Sequence, residues 1–216
     1  MRIDIWSDVV CPWCAVGKAH LEKALSGFEH ADEVEIVWRS FELDPGAPPA
    51  REGAYDVLLA ARYGTSAAGG KSMVGRLSAA AEQAGIQARF DLARSANTFD
   101  AHRLLHLAKE QALQDDLNRR LMGAFLAEGA LLSDHATLHR LAAEAGLDEV
   151  AVLRMLSTDA YAEQVRADEA EAGRREVTSV PTFLLDGRFV IPGAQSSQNM
   201  LTTLRRAWLQ RADRSL

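Results

Sequence analysis

Segments with the pattern of β-strands occur only near the two ends of this chain. Residues 2–7 (RIDIWS) alternate in polarity with Ile3 and Ile5 on one side, and residues 34–43 (VEIVWRSFEL) are rich in β-branched and aromatic side chains. Residues 182–191 (TFLLDGRFVI) contain two apolar runs around Asp-Gly, which favours a hairpin with a type I′ turn. Because isolated strands and hairpins are unstable in water, these segments are expected to form one four-stranded sheet.

The long middle of the chain has the composition of helices. Residues from about 53 to 175 are rich in Ala, Leu, Glu, Arg and Gln, and almost nothing in them resembles a strand. The first two strands are separated by a predicted helix that begins at Cys11, so they are expected to be parallel. A last amphipathic helix is predicted at about 196–211. The other predicted helices cover about 53–63, 70–84, 98–113, 115–128, 134–145, 147–156 and 159–175.

Composition excludes few classes of protein. The chain has 216 residues and a formal charge of −6 without any basic block, which argues against nucleic-acid binding. Its apolar runs are too short to cross a membrane, and Asp4 and Asp8 interrupt any signal-peptide core. We therefore expect a cytoplasmic protein that binds neither nucleic acid nor membrane. In that compartment a cysteine pair indicates redox or metal chemistry before a structural disulfide.

The two cysteines of the chain form a single C-x-x-C motif, Cys11-Pro12-Trp13-Cys14, where the first strand gives way to the first helix. Unpaired N–H groups and the positive end of the helix dipole favour a thiolate at Cys11. Pro12 suits the first helical position, where its missing N–H costs little. Cys14 lies one turn further on. We therefore predict that Cys11 exchanges with substrate and that Cys14 resolves the mixed disulfide.

Two alternatives to a redox pair remain open at this stage. A zinc site needs four ligands, and the histidine pairs His102/His106 and His135/His139 could supply two of them. No short finger-like spacing connects them to the cysteines, however, and a proline between the cysteines suits a redox turn better. The second alternative is a pair of inert core cysteines. The redox interpretation is favoured, and no metal is expected.

The motifs CPWC, SVPTFLLDGRFVIPGAQ and NTFDAHRL together resemble the DsbA-like branch of the thioredoxin superfamily, and within it the cytoplasmic FrnE-like subfamily. The resemblance covers essentially the whole chain. It implies an α/β fold in which a thioredoxin-like core with a central mixed four-stranded sheet, residues 1–50 and 176–216, carries a large inserted α-helical subdomain, residues 51–175. It also implies that Pro181 is a cis-proline facing the C-x-x-C motif.

The resemblance further implies roles for the neighbours of the cysteines. Val180 would offer open backbone groups to an extended substrate beside Pro181. Pro12 and Trp13 would tune the redox potential. Strong oxidants of this branch carry a histidine where Trp13 stands, so we expect a less oxidising pair here. Asp8 could relay a proton, although a capping carboxylate is the simpler interpretation.

Phe99 and His102 start a predicted helix of the insertion. They share one helix face, and in this branch the insertion lies over the redox site. We therefore hypothesise that Phe99 and His102 line a substrate cleft above Cys11. The alternative is that both residues make packing contacts inside the helical subdomain.

The function that follows is a protein or dithiol–disulfide oxidoreductase that exchanges with protein or small-molecule disulfides. It would need a redox partner but no metal or organic cofactor, with glutathione left open as a co-substrate. The same branch is similar to 2-hydroxychromene-2-carboxylate isomerases and kappa-class glutathione transferases, which typically carry serine where Cys11 stands. A glutathione-dependent isomerase and a non-catalytic binding or holdase protein are therefore the alternatives. The sequence leaves the oligomeric state open.

Overall fold

The computed structural model describes residues 1–212, which contain four strands and nine α-helices. A short 3₁₀ turn (Ala31–Glu33) precedes β2, and a π-helical turn (Ala124–Glu128) continues α5. No helix among these residues is long and apolar enough to cross a membrane. The elements are β1 (Arg2–Ser7), α1 (Pro12–Leu25), β2 (Glu35–Ser40), α2 (Tyr55–Arg62), α3 (Ala67–Gln83), α4 (Phe99–Glu110), α5 (Gln114–Gly123), α6 (His135–Glu144), α7 (Glu149–Leu156), α8 (Ala162–Arg174), β3 (Thr182–Leu185), β4 (Phe189–Pro192) and α9 (Ser197–Ala212).

The four strands form one mixed sheet in the order β2-β1-β3-β4. β1 pairs in parallel with β2 and antiparallel with β3, so that Ile5 lies between Trp38 and Phe183. β3 and β4 form the predicted hairpin, whose turn residues Asp186 and Gly187 have φ of 47° and 71°. Positive φ at both positions is the signature of a type I′ turn. The fold class predicted from the sequence, a mixed four-stranded sheet with an inserted helical block, is confirmed.

One face of the sheet carries a hydrophobic cluster that we call the sheet cluster. Ile3 and Ile5 are completely buried there, as the alternating pattern of β1 predicts. Helices α1 and α9 cover this face with one apolar stripe each. The cluster contains Met1, Ile3, Ile5, Leu21, Ala24, Phe28, Trp38, Phe183, Leu185, Ile191, Met200, Leu204 and Ala207.

The opposite face of the sheet is tied to α8 by polar contacts. The carboxylate of Asp168 accepts hydrogen bonds from the Arg39 guanidinium at 2.8 Å and from the Ser40 N–H at 3.0 Å. Arg39 also contacts Asp4 of β1 at 2.8 Å, and the indole N–H of Trp6 donates to the Asp168 carbonyl at 3.1 Å. Helix α8 is therefore joined to both β1 and β2.

Strand β2 ends earlier than its sequence predicts. The apolar run continues to Leu43, but the ladder stops at Ser40. Beyond that point side chains replace the neighbouring strand as hydrogen-bond acceptors: Asp8 Oδ2 accepts from the Leu43 N–H at 2.8 Å. The ladder ends where β1 ends, at Ser7, and acidic side chains accept the hydrogen bonds of the residues that follow.

Candidate functional site

Cys11 and Cys14 lie at the start of α1, but in different environments. Cys11 is the N-cap residue, with extended backbone angles of φ −93° and ψ 110°, and Pro12 follows at the first helical position. Both cysteines are free thiols. Cys11 keeps a small exposed fraction of 6% and contributes to the wall of a cavity, whereas Cys14 is 1% exposed and does not reach it.

The environment of Cys14 disfavours its thiolate. Burial raises the pKa of the Cys14 thiol well above its ordinary value, and a hydrogen bond with Cys11 and the charge of Cys11 raise that pKa further. Cys14 therefore resists ionisation, whereas the Cys11 sulfur lies at the N-terminus of α1, where the helix dipole is positive. The two sulfurs are chemically unequal because of where the helix places them.

The loop before β3 brings Val180 and Pro181 to the cysteines. The Val180–Pro181 peptide bond is cis, and the Cys11 Sγ lies 3.8 Å from the Val180 carbonyl oxygen. The Val180 N–H makes no hydrogen bond within residues 1–212. Gly17 of α1 allows this close approach: a Cβ there would lie 2.8 Å from Pro181 Cγ and 3.1 Å from Phe183 Cζ. Two segments separated by 169 residues thus meet at one sulfur.

A cavity of about 730 Å³ opens beside Cys11. Pro12 and Trp13 form one part of its wall, and Trp13 is 43% exposed. Ser179 and Val180 form another part, and the facing wall comes from α2 and α3. That wall includes Tyr55, Leu58, Leu59 and Arg62 of α2 and Met73, Arg76 and Leu77 of α3.

His102 does not line this cavity, so the prediction that it does is corrected. Its side chain is 1% exposed, and its Nε2 lies 3.4 Å from Asp8 Oδ1. Neither ring nitrogen makes a hydrogen bond among the described residues. The reason is that α4 turns His102 inward, so that it packs behind Asp8, which does line the cavity. Glu42 lies nearby. Burial raises the pKa of its carboxyl group, and a hydrogen bond from Arg166 offsets only part of this rise.

Phe99 is also absent from the cavity wall, and its predicted placement is corrected in the same way. Its ring lies under the Arg166 guanidinium at 4.3 Å, and the Arg103 guanidinium is 6.0 Å away. These distances are typical of cation–π contacts, and the contact with Arg166 joins α4 to α8, whereas Arg103 belongs to α4 itself. Phe99 therefore packs within the helical block, which is the alternative interpretation given above.

The histidine pairs of the metal alternative each contact carboxylates instead of approaching a common centre. His106 Nε2 lies 3.3 Å from Asp168, His135 Nε2 lies 2.8 Å from Asp100, and His139 Nε2 lies 3.3 Å from Glu149. Among residues 1–212, no three His, Cys, Asp or Glu side chains are grouped so that they could hold a metal ion. The residues present do not fit a zinc site.

Sequence reasoning did not identify the α2–α3 wall. Both helices were predicted, but nothing indicated which of their faces meets the cysteines. A signal did exist in α2, where Tyr55, Leu59 and Arg62 recur at the i, i+4, i+7 spacing of one face. A mixed aromatic, aliphatic and cationic stripe is unusual for a core-facing helix and could have indicated a ligand wall.

Comparisons with known proteins agree with this geometry. Residues 2–205 match the family model described as DSBA-like thioredoxin domain. The uncharacterized protein YwbO of Bacillus subtilis (strain 168) is 33% identical over 196 residues, 90% of each chain. The crystal structure of a probable DsbA oxidoreductase, SCO1869 of Streptomyces coelicolor, superposes with a TM-score of 0.91 at 42% identity, covering 96% of this chain and 90% of that one.

A more distant structure shares the fold. The 2-hydroxychromene-2-carboxylate isomerase superposes with a TM-score of 0.69 at 18% identity, covering 99% of this chain and 98% of that one. The resemblance found in the sequence is confirmed, and so, at the level of the family, is the enzyme class of disulfide oxidoreductase. The C-x-x-C motif at a strand–helix junction, the mixed sheet and the match over nearly the whole chain lead to one conclusion: the chain belongs to the family of DSBA-like thioredoxin domains.

Proposed function

We propose that this protein is a thiol–disulfide oxidoreductase in which Cys11 exchanges with substrate and Cys14 resolves the mixed disulfide. The observation that carries the proposal is the inequality of the two sulfurs. Cys11 contributes to the cavity wall at a helix N-terminus, while Cys14 is buried with a raised thiol pKa. An exchange enzyme needs one accessible sulfur and one protected sulfur within reach of the first.

The proposed cycle balances as follows. The Cys11 thiolate attacks one sulfur of a substrate disulfide, the substrate S–S bond breaks, and the first thiolate leaves. The Cys14 sulfur then attacks the Cys11 sulfur, which releases the second thiolate and leaves a Cys11–Cys14 disulfide, and the proton of the Cys14 thiol passes to solvent or to the released thiolate. The substrate has gained two electrons and the protein has lost two. A dithiol, or two molecules of a monothiol, restores the reduced pair and is itself oxidised to a disulfide, and the reverse sequence oxidises a dithiol substrate.

Val180 is proposed to position the substrate. Its carbonyl oxygen lies near the Cys11 sulfur, and its N–H has no partner within the described part of the chain. An extended segment, either of a protein or of glutathione, could pair with these groups as an added strand. Pro181 contributes no N–H of its own, so the donor beside the sulfur is that of Val180.

We also propose a cytoplasmic location, because a pair that receives electrons from a thiol pool works where that pool is kept reduced.

The isomerase alternative shares the fold. Its test is glutathione-dependent isomerisation that survives Cys14→Ser, since an isomerase of this type would not need a resolving thiol.

A redox titration with thiol alkylation and mass spectrometry tests the main proposal. We expect two alkylated cysteines after reduction, none after mild oxidation, and one reduction potential for the pair. Cys14→Ser should accumulate a mixed disulfide at Cys11, whereas Cys11→Ser should form none. If both single variants formed mixed disulfides at similar rates, the division of roles would be wrong. If the wild type remained doubly alkylated after oxidation, the redox function itself would be wrong.

A further inference from the structure

The wall that faces Cys11 has a mixed chemistry. Helix α2 contributes Tyr55, Leu59 and Arg62 to the cavity, and α3 contributes Arg76 and Leu77. Three of these five side chains are aromatic or aliphatic, and two are cationic. A volume of about 730 Å³ lies in the range that small-molecule sites occupy.

The position of this wall is fixed by close packing of the two helices. Gly70 of α3 lies against α2, where a Cβ would come within 2.9 Å of Ala60 Cβ and would overlap the Asp56 carbonyl oxygen. No larger residue fits there without separating the helices. The cationic and apolar groups are therefore presented by a rigid helix pair and not by a loop, which favours recognition of a defined ligand.

The charges of the cavity do not cancel. Asp44 pairs with Arg51, and Asp8 accepts hydrogen bonds from backbone N–H groups near its floor. Within residues 1–212, Arg62 donates only to the Leu43 carbonyl oxygen, at 2.7 Å, and Arg76 makes no hydrogen bond or ion pair. Among the described residues, Arg62 and Arg76 have no carboxylate partner, and together with the Asp8 carboxylate they leave this cavity with one more cation than anions in a protein whose formal charge is −6.

A neutral hydroxyl faces the same space. Tyr55 is 8% exposed, its ring stacks on Phe90, and its hydroxyl has no hydrogen-bond partner among the described residues. Burial and the negative charge of Cys11 raise the pKa of Tyr55 far above its ordinary value, so it stays an O–H donor. Solvent reaches the Tyr55 hydroxyl from the cavity, so the acceptor of a bound ligand could take the place of water there.

We propose that this cavity selects small disulfides and thiols that carry a carboxylate on an apolar body, with Arg62 and Arg76 binding the carboxylate and Tyr55 donating to the ligand. This proposal rests on the exchange chemistry of Cys11 and Cys14 described above. Both arginines are exposed to solvent, so water and salt screen their attraction for an anion and the expected selectivity is modest. An unsubstituted alkyl disulfide would leave both cations unpaired.

Two aromatic disulfides of similar size test the proposal: dithiobis(nitrobenzoate), which carries two carboxylates, and dithiodipyridine, which is neutral at pH 7. Reduced protein is mixed with each disulfide in a stopped-flow instrument, and the release of the coloured thiol is followed. Each rate constant is divided by that of a small-molecule thiol, which removes the intrinsic reactivity of the disulfide. We expect the normalised rate to be higher for the anionic disulfide.

The variant Arg62→Gln/Arg76→Gln should lower the rate with the anionic disulfide about fivefold and change the rate with the neutral one less than about twofold. Arg206→Gln, an exposed arginine of α9 outside the cavity, removes the same type of charge and should change neither rate. An equal loss in the cavity and control variants, or no loss in either, would overturn the carboxylate site. A wild type that releases no coloured thiol from either disulfide would instead refute the proposed function.

Two further measurements, with glutathione disulfide and with added salt, test the apolar and the electrostatic parts of the proposal. Glutathione disulfide carries carboxylates but no apolar body, so its normalised rate should be lower than that of the aromatic dicarboxylate. A higher rate would overturn the apolar part of the proposal. Added salt should slow the reaction with the anionic aromatic disulfide and leave the neutral one unchanged, because ionic strength screens the arginine charges. Equal salt dependence for both disulfides would contradict an electrostatic selection.

Discussion

The molecule has two large hydrophobic clusters, one on the sheet and one among the inserted helices. The cysteines belong to the cluster among the inserted helices. The sheet cluster contains residues of β1, β3, α1 and α9. The second, which we call the helical cluster, is formed mainly by α4–α7, with fully buried residues such as Leu104, Leu117 and Leu141. Cys11, Cys14 and Ala15 pack into this helical cluster.

Helix α1 divides between the two clusters along its length. Its first turn joins the helical cluster, and Leu21 and Ala24 join the sheet cluster. The comparison shows that the sheet supplies the junction on which the cysteines sit, while the inserted helices supply the surroundings that make Cys14 buried. The inserted helices therefore surround the two cysteines and form part of the proposed redox site.

The first prediction breaks the connection between the two regions at Asp168. Asp168→Asn removes the charge that Arg39 and His106 contact, and we expect the free energy of unfolding to fall by about 3 kcal/mol. Asp116→Asn, which affects an exposed pair with Arg119, is the matched control and should cost less than about 0.5 kcal/mol. Urea unfolding at neutral pH measures both. Equal effects would mean that the buried contacts of α8 do not join the regions.

The same aspartate predicts a pH dependence. Burial favours the neutral acid, but hydrogen bonds from His106 and the Ser40 N–H and the charge of Arg39 outweigh it, so the pKa of Asp168 is lowered. A carboxyl group with a lowered folded-state pKa stabilises the fold fully above its ordinary value of 3.8. That contribution is lost as the pH falls through the lowered value. The stability difference between wild type and Asp168→Asn should shrink over this acid range, and a constant difference would contradict the assignment.

The second prediction adds a methyl group to Gly17, where α1 packs against the loop that contains Pro181. A methyl group in Gly17→Ala would lie too close to Pro181 and Phe183, so we expect a loss of about 2 kcal/mol and slower disulfide exchange. Gly75→Ala in α3 is the control, since a Cβ there meets nothing within 4 Å. It should stabilise the protein by about 0.5–1 kcal/mol through helix propensity. If both Gly17→Ala and Gly75→Ala stabilised the protein, the contact of Gly17 with Pro181 and Phe183 would not be tight.

The third prediction, with the smallest expected effect, concerns how Trp13, which precedes Cys14, influences the reduction potential of the pair. Trp13→His places a group that can carry positive charge beside Cys11 and should make the pair more oxidising, with a rise of about 30 mV in its reduction potential. Trp13→Phe keeps an uncharged ring and should change the potential by less than about 10 mV. Equilibration in glutathione buffers followed by alkylation measures both. Identical potentials for the two variants would exclude a role for charge at this position.

Much of this fold follows from local patterns. The alternation of β1, the Asp-Gly turn and the helical composition of the middle predict the elements, and the helix between β1 and β2 predicts their parallel pairing. The C-x-x-C motif is also local, so Cys11 and Cys14 could be placed at the junction in advance. The meeting with Val180 and Pro181 came from the family resemblance, because no local rule connects residues so far apart in sequence.

The faces of the inserted helices could not be assigned in this way. Phe99 and His102 were expected in the cleft because they share a helix face, but helical periodicity does not specify which neighbour that face meets. Packing decides: Phe99 pairs with Arg166 of α8, and His102 is buried behind Asp8. The wall that does face Cys11 comes from α2 and α3, where the decisive contact is a glycine against a backbone carbonyl. The glycine contact has no signature in a single sequence, so the spacing of Tyr55, Leu59 and Arg62 was the one available indication of this wall.

The strand order has a consequence for how the protein is made. β1 lies inside the sheet, yet its antiparallel partner β3 is synthesised only after the whole helical block. During translation, the partners of β1 and of the Cys11 sulfur, which are β3 and Val180, are synthesised only after the helical block. Cys11 and Cys14 are therefore synthesised well before Val180 and Pro181, the residues that lie beside Cys11 in the folded protein.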